Sequence, residues 1–355
     1  RDHRTFSSQV GGTELEELEK DPEAREARRT MLETDPPEHT RIRKLVSRSF
    51  TRRAIAHWES TAKTLVAESI DQALLDHQTD FVETVARRFP IQMISRLLGV
   101  PDRDAEQLFH WADAVVYHAD PDFSELLYDK DDTDPYRLLP FRSPASAKVF
   151  EFAKRLAGEK ARHPEADVIS ILAASEDLTE QEFQTFFLLL VIAGNETTRH
   201  SLSHGALALA EFPDQLDRLR GDPSLISTAT EEILRWASPQ IHFRRTAVCE
   251  TELAGVPIAV GDKVVTWYIS ANYDERAFVD PYTLDLGRNP NPHVTFGGGG
   301  PHFCLGAWMA RLEVRVFLEE IMTRVGRIHL NGEPQRIRSN FINGLKHLPL
   351  TLEKL

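Results

Sequence analysis

Cys304 is one of two cysteines in a chain of 355 residues, and four consecutive glycines, Gly297 to Gly300, stand just before it in the run FGGGGPHFCLG, Phe296 to Gly306. Glycine loses more backbone entropy on folding than any other residue, so four in a row need a local reason. They permit positive φ and close backbone packing, which lets amide N–H groups turn toward a neighbouring sulfur. The segment that follows, LGAWMARLEVRVFLEEI, places Leu305, Trp308, Met309, Leu312 and Val316 at helical spacing. A cysteine at a helix N-terminus has its thiolate favoured by the dipole and the free amides. Such a thiolate suits ligation of iron, with its donor strength tuned by N–H···S bonds. The competing reading is a structural cysteine after a glycine turn. Phosphate binding is excluded, because no Lys follows the glycines as a phosphate loop requires. A dinucleotide G-x-G-x-x-G would need glycine where His302 or Phe303 stands.

Three other constellations carry chemistry only in combination. AGNETT, Ala193 to Thr198, sets an acid and an alcohol, Glu196 and Thr197, inside an apolar helix. Glycine and threonines are unfavourable there, so the pattern predicts a kink beside a buried cavity. EEILR puts Glu232 and Arg235 three apart, the spacing of a helical ion pair. DPPEHTRIR puts His39 and Arg43 four apart on one helical face, where two donors can bind a carboxylate. A solvated polar face, a surface ion pair and a capped surface histidine are the bland alternatives.

These residues need elements to hold them. TEQE, Thr179 to Glu182, is a capping box, and the helix it opens continues to Phe212 before Pro213, about 32 residues or roughly 48 Å. Its centre, FFLLLVIAG, is apolar all round and belongs in the core. Asp35-Pro36-Pro37 signals another helix start, and the helix expected from it carries Arg41, Arg43, Lys44, Arg48, Arg52 and Arg53. Strand signals come late: TELAGVPIAVGDKVVTWYISAN reads as short strands around Ala254-Gly255 and Gly261-Asp262, and FINGLKHLPLTLEKL as an added hairpin. The expected fold is mostly α with a small β part, in one domain spanning 1–355. The balance of 42 basic and 55 acidic residues, net −13, argues against nucleic acid or anionic membrane as the main partner. No apolar run approaches a membrane span, and two cysteines fit a reducing, cytoplasmic compartment.

With its Phe, glycines, His two before Cys304 and Gly two after, FGGGGPHFCLG resembles the haem-binding signature of the cytochrome P-450 family. One departure exists: eight positions separate Phe296 from Cys304, where the family's common spacing is seven. AGNETT resembles the family's acid–alcohol pair, EEILR its E-x-x-R, and DPPEHTR its haem-flanking helix, all in the family's order along nearly the whole chain. The resemblance implies a cytochrome P-450-like fold built around a buried haem b (iron protoporphyrin IX), with Cys304 as axial iron ligand. It implies haem contacts from Phe296 and Gly306, and propionate contacts from His39, Arg43, Arg245 and His302. Glu196 and Thr197 would deliver protons during dioxygen activation, and Glu232 with Arg235 would lock the core. Thr283 stands where the family's third partner, an Arg, is usual, leaving Arg288 as the candidate substitute. The chain opens RDHRTFSS without Met, and the family carries several tens of residues before such a segment, which implies a missing N-terminal stretch.

The implied activity is monooxygenation: one oxygen atom of dioxygen enters a substrate C–H bond and the other becomes water. Leu189, Ile192, Ala193, Ile241 and Phe243 are expected to wall an apolar pocket for a steroid, terpenoid or branched lipid. No flavin or nicotinamide signature is present, so electrons are expected from a small acidic ferredoxin with its reductase. Its expected docking site is Lys44, Arg48, Arg52 and Arg53 with Arg311 and Arg315, on a monomer. The rivals are a haem-thiolate sensor without turnover, a peroxide-driven variant, and a cysteine hydrolase. The acid–alcohol pair counts against the first two. No orienting acid accompanies His302 for the third.

Overall fold

The computed structural model describes residues 2–17, 20–76 and 78–355. Its helices are α1 (Pro22–Arg28), α2 (Glu38–Val46), α3 (Arg52–Ala56), α4 (Glu59–Leu75), α5 (Arg88–Leu98), α6 (Asp102–Val116), α7 (Ala145–Arg162), α8 (Val168–Ala173), α9 (Glu180–Glu211), α10 (Pro213–Gly221), α11 (Ile226–Ala237), α12 (Tyr268–Asn272) and α13 (Ala307–Arg324). A π-helical segment, Val82–Arg87, leads directly into α5. The strands are β1 (Phe6–Ser7), β2 (Thr79–Asp80), β3 (His242–Ala247), β4 (Thr251–Leu253), β5 (Val256–Ile258), β6 (Lys263–Trp267), β7 (Val325–Leu330), β8 (Gln335–Arg336), β9 (Leu345–His347) and β10 (Pro349–Lys354).

α9 is the axis of the molecule. The Thr179 hydroxyl accepts from the Glu182 N–H, and the Glu182 carboxylate accepts from the Thr179 N–H, closing the capping box read from the sequence. Phe186, Phe187, Leu188 and Val191 are buried, and α5, α6, α7, α11 and α13 pack around them. No break in the helix marks the kink expected at AGNETT: α9 is one continuous helix of 32 residues. Gly194 is there for packing, since an added Cβ would lie 2.5 Å from two carbons of Ile94 on α5. Gly194→Val is therefore expected to cost roughly 1–3 kcal/mol by overpacking. Ile94→Ala should recover part of that loss in a double-mutant cycle followed by urea unfolding.

The basic segment expected as one helix forms three pieces. α2 ends at Val46, Ser47–Phe50 is a 3-10 turn, and Thr51 caps α3. The Ser47 and Thr51 hydroxyls donate to the Lys44 and Arg48 carbonyls, a local competition that interrupts a helical ladder.

The β part is small and antiparallel. β3 lies between β1 and β6, and β10 between β2 and β7; β4 pairs β5, and β8 pairs β9. The β4–β5 turn falls at Ala254 and Gly255, both with positive φ, as the sequence indicated. The expected C-terminal hairpin does not form. β9 joins β8, whereas β10 joins β7 in register Leu350 to Leu330 and Leu352 to Ile328. No helix among the described residues is long and apolar enough to cross a membrane.

Candidate functional site

The glycine loop is held by its own backbone. Gly297, Gly299 and Gly300 have φ of 88°, 89° and 83°, a region closed to most other residues. Gly297 N–H donates to Val294 O at 2.8 Å, Phe303 N–H to Gly300 O at 3.2 Å, and Cys304 N–H to Phe296 O at 3.0 Å. These turns present the Cys304 side chain to open space. Protein atoms behind it still push the thiol pKa up, while the Gly306 N–H, Arg43 and Arg311 act in the opposite direction. Gly306 caps α13, so the amide aimed at sulfur comes from that helix's N-terminus. Phe296 is buried beneath the loop with the Arg311 guanidinium 4.4 Å from its ring centre.

Beside the sulfur, donors converge without a matching anion. The rings of His39 and His302 lie 4.2 Å apart. Both His39 nitrogens and His302 Nδ1 are buried with no hydrogen-bond partner among the described residues. Burial, with Arg43 and Arg245 nearby, holds His39 at about 4, and burial with His39 and the same two arginines holds His302 at about 3. Burial also lowers the pKa of Arg43 and Arg245. The nearest carboxylate, Asp35, is taken up by the Ser7 hydroxyl and the Ser8 N–H. Arg43 and Arg245 are half-buried, and Arg245 gives one N–H to the Arg244 carbonyl at 2.7 Å; cations withdrawn from water normally have an anionic partner. A cluster of four cationic or donor groups beside a cysteine sulfur fits the two propionates of a haem whose iron meets that sulfur.

α9 borders the same space through one stripe. Ala193 is exposed and Ile192 and Thr197 are half-buried, in the middle of a helix whose other faces are covered. Thr197 Oγ1 donates to Ala193 O at 3.1 Å. Leu189, Ile241 and Phe243 are likewise half-buried, as residues bordering a cavity would be. The acid and the alcohol do not face the same way. Glu196 is fully buried, accepting from Asn195 Nδ2 at 2.8 Å and meeting Arg199 at 3.2 Å, while its Oε2 has no hydrogen-bond partner among the described residues. One residue is 100° of helix rotation, enough to turn it away from Thr197.

Behind the loop, Arg235 forks onto Glu232 with both bonds at 2.8 Å. Arg288 reaches the same carboxylate at 3.1 Å on both oxygens, so Arg288 is the third partner and Thr283 is not. Thr283 supplies only a carbonyl, to Arg288 Nη2. Asn291 and the Asp285 N–H complete the carboxylate's shell.

Several residues in the site gave no sequence signal. Asn272 accepts from the Val294 N–H, donates to Thr295 and Ser238, and offers its carbonyl to Arg235, tying the ion-pair cluster to the cysteine loop. Glu231 binds His293 at 2.9 Å and Arg311 at 2.7 Å; although burial opposes it, these bonds hold its carboxyl at about 2. Arg311 and Arg315 are thus not free: Arg315 is paired with Glu59 and Glu319. Lys44, Arg48, Arg52 and Arg53 are exposed without an ion pair among the described residues. Trp308, placed on the apolar stripe from sequence, is 41% exposed, with Arg52 and Arg311 each 5.4 Å from its ring centre.

The sequence profile of the cytochrome P-450 family matches residues 224–336. A methyl-branched lipid omega-hydroxylase of Mycobacterium tuberculosis is 40% identical over 338 residues, covering 93% of this chain and 76% of that protein. A steroid C26-monooxygenase of Mycolicibacterium smegmatis is 38% identical, covering 90% of this chain and 72% of that one. Among solved structures, a Mycobacterium marinum cytochrome P-450 in complex with pseudoionone superposes with a TM-score of 0.89 at 39% identity, covering 99% of this chain and 83% of the other. A Bacillus megaterium enzyme in complex with testosterone gives 0.84 at 30% identity, covering 99% and 88%.

Proposed function

Because this chain belongs to the cytochrome P-450 family of haem-thiolate monooxygenases, we propose that Cys304 is the axial ligand of its protoporphyrin IX haem. His39, Arg43, Arg245 and His302 bind the propionates in this reading, and Phe296 and Gly306 support the ligand from behind. The observation that carries it is the exposed Cys304 sulfur beside Arg43, Arg245 and two histidines, of which both His39 nitrogens and His302 Nδ1 lack a hydrogen-bond partner among the described residues. Bound there, haem supplies oxidation of a substrate C–H bond by dioxygen and two electrons. The chain's own contribution is positional. The Gly306 N–H tempers the thiolate, Thr197 offers a hydroxyl on the open face of α9, and Glu196 stands one residue away as the proton source.

The walls and the relatives support a substrate class. Leu189, Ile192, Ala193, Ile241 and Phe243 offer apolar surface with no charge among them. Relatives named for a methyl-branched lipid and a steroid support a branched lipid, steroid or terpenoid as substrate. The test is optical. Reduced protein with carbon monoxide should show the strongly red-shifted Soret band of thiolate-bound haem, and steroids and branched lipids should give type-I shifts. An unshifted band overturns the ligand assignment; shifts only with polar compounds overturn the substrate class.

Electrons reach the site from a ferredoxin-type donor in this proposal. Lys44, Arg48, Arg52 and Arg53 form its contact patch, with Arg52 stacked on the exposed Trp308. Arg311 and Arg315 leave the patch because their charges are already matched. Reversing charge at Arg52 and Arg53 is expected to slow second-order reduction by an acidic ferredoxin about tenfold or more at low salt, and far less at high salt. Stopped-flow reduction across a salt series checks this, and equal rates in variant and parent at low salt would count against the patch.

A further inference from the structure

Glu196 is one of two buried carboxyls on a single guanidinium. Arg199 Nη2 lies 2.9 Å from Asp113 Oδ1 and 3.2 Å from Glu196 Oε1. The side chains of Asp113, Arg199 and Glu196 are 4%, 2% and 0% exposed. Asp113 belongs to α6, and nothing in the sequence pattern of α6 marks it. The groups facing this pair are few. Arg87, from the π-helical segment, approaches Asp113 Oδ2 at 3.7 Å and carries Glu106 at 2.8 Å and Glu83 at 3.8 Å out to solvent. On the other side, His200 Nε2 is 3.7 Å from Glu196 Oε2 and 2.6 Å from the Tyr117 hydroxyl.

Two ionised carboxylates on one buried cation leave a net negative charge out of water, and Arg87, 3.7 Å from Asp113, divides its own charge among Asp113, Glu106 and Glu83. Buried charge without a matching partner is expensive, and two acids so placed resolve it by keeping one proton between them. We propose that Asp113 is a proton store for Glu196, the two carboxyls sharing Arg199 and one proton, so that Asp113 recharges Glu196 after each proton it releases toward α9's open face. In that step an O–H bond at Asp113 breaks and one at Glu196 forms, while Arg199 stays protonated and no electrons move. Asp113 then takes a proton from solvent on its Arg87 side, where the chain of charges reaches the surface. Burial and the Glu196 charge, against Arg199, raise Asp113 to about 7, which leaves it poised to hold or give a proton near neutrality. The idea rests on the reading of Glu196 as the proton source, but the pair can be tested without turnover.

The first test is the infrared carbonyl stretch of protonated carboxylic acids in the purified protein, compared in H2O and D2O. A band that titrates near neutral pH should be present in the parent and absent in Asp113→Asn. Glu14, Glu33 and Glu313, acids whose pKa values are raised by desolvation, would contribute bands that persist in that variant. In Glu196→Gln the Asp113 midpoint should fall by about one pH unit or more, because the like charge is gone. This second variant decides the matter if Asp113→Asn does not fold. Identical spectra in Asp113→Asn and parent, or an unmoved midpoint in Glu196→Gln, overturn the proposal. In turnover, Asp113→Asn should release several-fold more hydrogen peroxide per electron pair, with a larger solvent deuterium isotope effect, and Asp113→Glu should restore both. Unchanged values in Asp113→Asn also overturn it. A chain that binds no haem would remove the functional reading while leaving the infrared result to judge the pair.

Discussion

Cys304→Ala is expected to abolish the red-shifted carbon monoxide band and all monooxygenase activity while leaving the apoprotein folded. The two halves of that outcome have separate causes. The loop's shape comes from backbone bonds, Gly297 to Val294, Phe303 to Gly300 and Cys304 to Phe296, and none uses the thiol. The side chain is exposed, so its removal creates no core cavity, and unfolding of the apoprotein should change by no more than about 0.5 kcal/mol. What disappears is the cysteine sulfur at the site, since Cys249, the other cysteine, lies on the strand-rich side, just before β4. Haem retention should fall at least about tenfold, the scale seen when even supporting groups of metal ligands are lost. Cys304→His is the informative companion. An imidazole can keep iron in place but does not donate charge as a thiolate does. It should bind haem with an unshifted Soret band in the reduced carbon monoxide complex and fail to oxygenate substrate. Unaltered visible spectra in both variants would remove the ligand assignment outright.

How far the sequence displayed this site depends on the range of the signal. Local chemistry was legible: the Thr179 capping box, the glycines before Cys304 and the three-residue spacing of Glu232 and Arg235 all act within a few residues. Arg288 could be named because Thr283 visibly failed the role. What stayed hidden was orientation and distance along the chain. Glu196 and Thr197 are neighbours in sequence, yet helix rotation sends one into the core and the other to the open stripe. Which of them faces the cavity is decided by Arg199 and Asp113, a contact across 86 positions that no periodicity announces. Asn272 and Glu231 are the same kind of case, being polar residues whose partners lie far along the chain. The break after Val46 was missed because serine and threonine hydroxyls, not Pro or Gly, interrupt the ladder there. β9 and β10 were read as a hairpin because adjacency is the default for strands, whereas each pairs with an earlier strand.

The second large effect belongs to Glu232, which touches no cofactor or substrate. Its carboxylate is fully buried and holds two guanidinium groups, Arg235 at 2.8 Å and Arg288 at 3.1 Å. Arg288 is itself anchored by the carbonyls of Val279, Asp280 and Thr283, and Arg235 by those of Asn272 and Pro281. The cluster therefore pins the irregular chain from 272 to 288 onto α11, and Asn272 passes that constraint to the cysteine loop. Glu232→Ala leaves two buried cations facing each other with no anion between them, at a cost of about 3–5 kcal/mol. Against a typical total of about 5–15 kcal/mol, that is enough to leave much of the protein unfolded or unable to take up haem. Glu232→Gln keeps an acceptor oxygen but not the charge, and should fall between. Arg288→Lys isolates the geometry, since an ammonium cannot span the carboxylate and three carbonyls as the guanidinium does. Its loss should be smaller than that of Glu232→Ala but clearly measurable as a lowered urea midpoint at constant slope. If instead Glu232→Ala unfolds at the parent midpoint, Glu232 does not hold this half of the molecule together, and Asn272 alone would have to keep the cysteine loop in register.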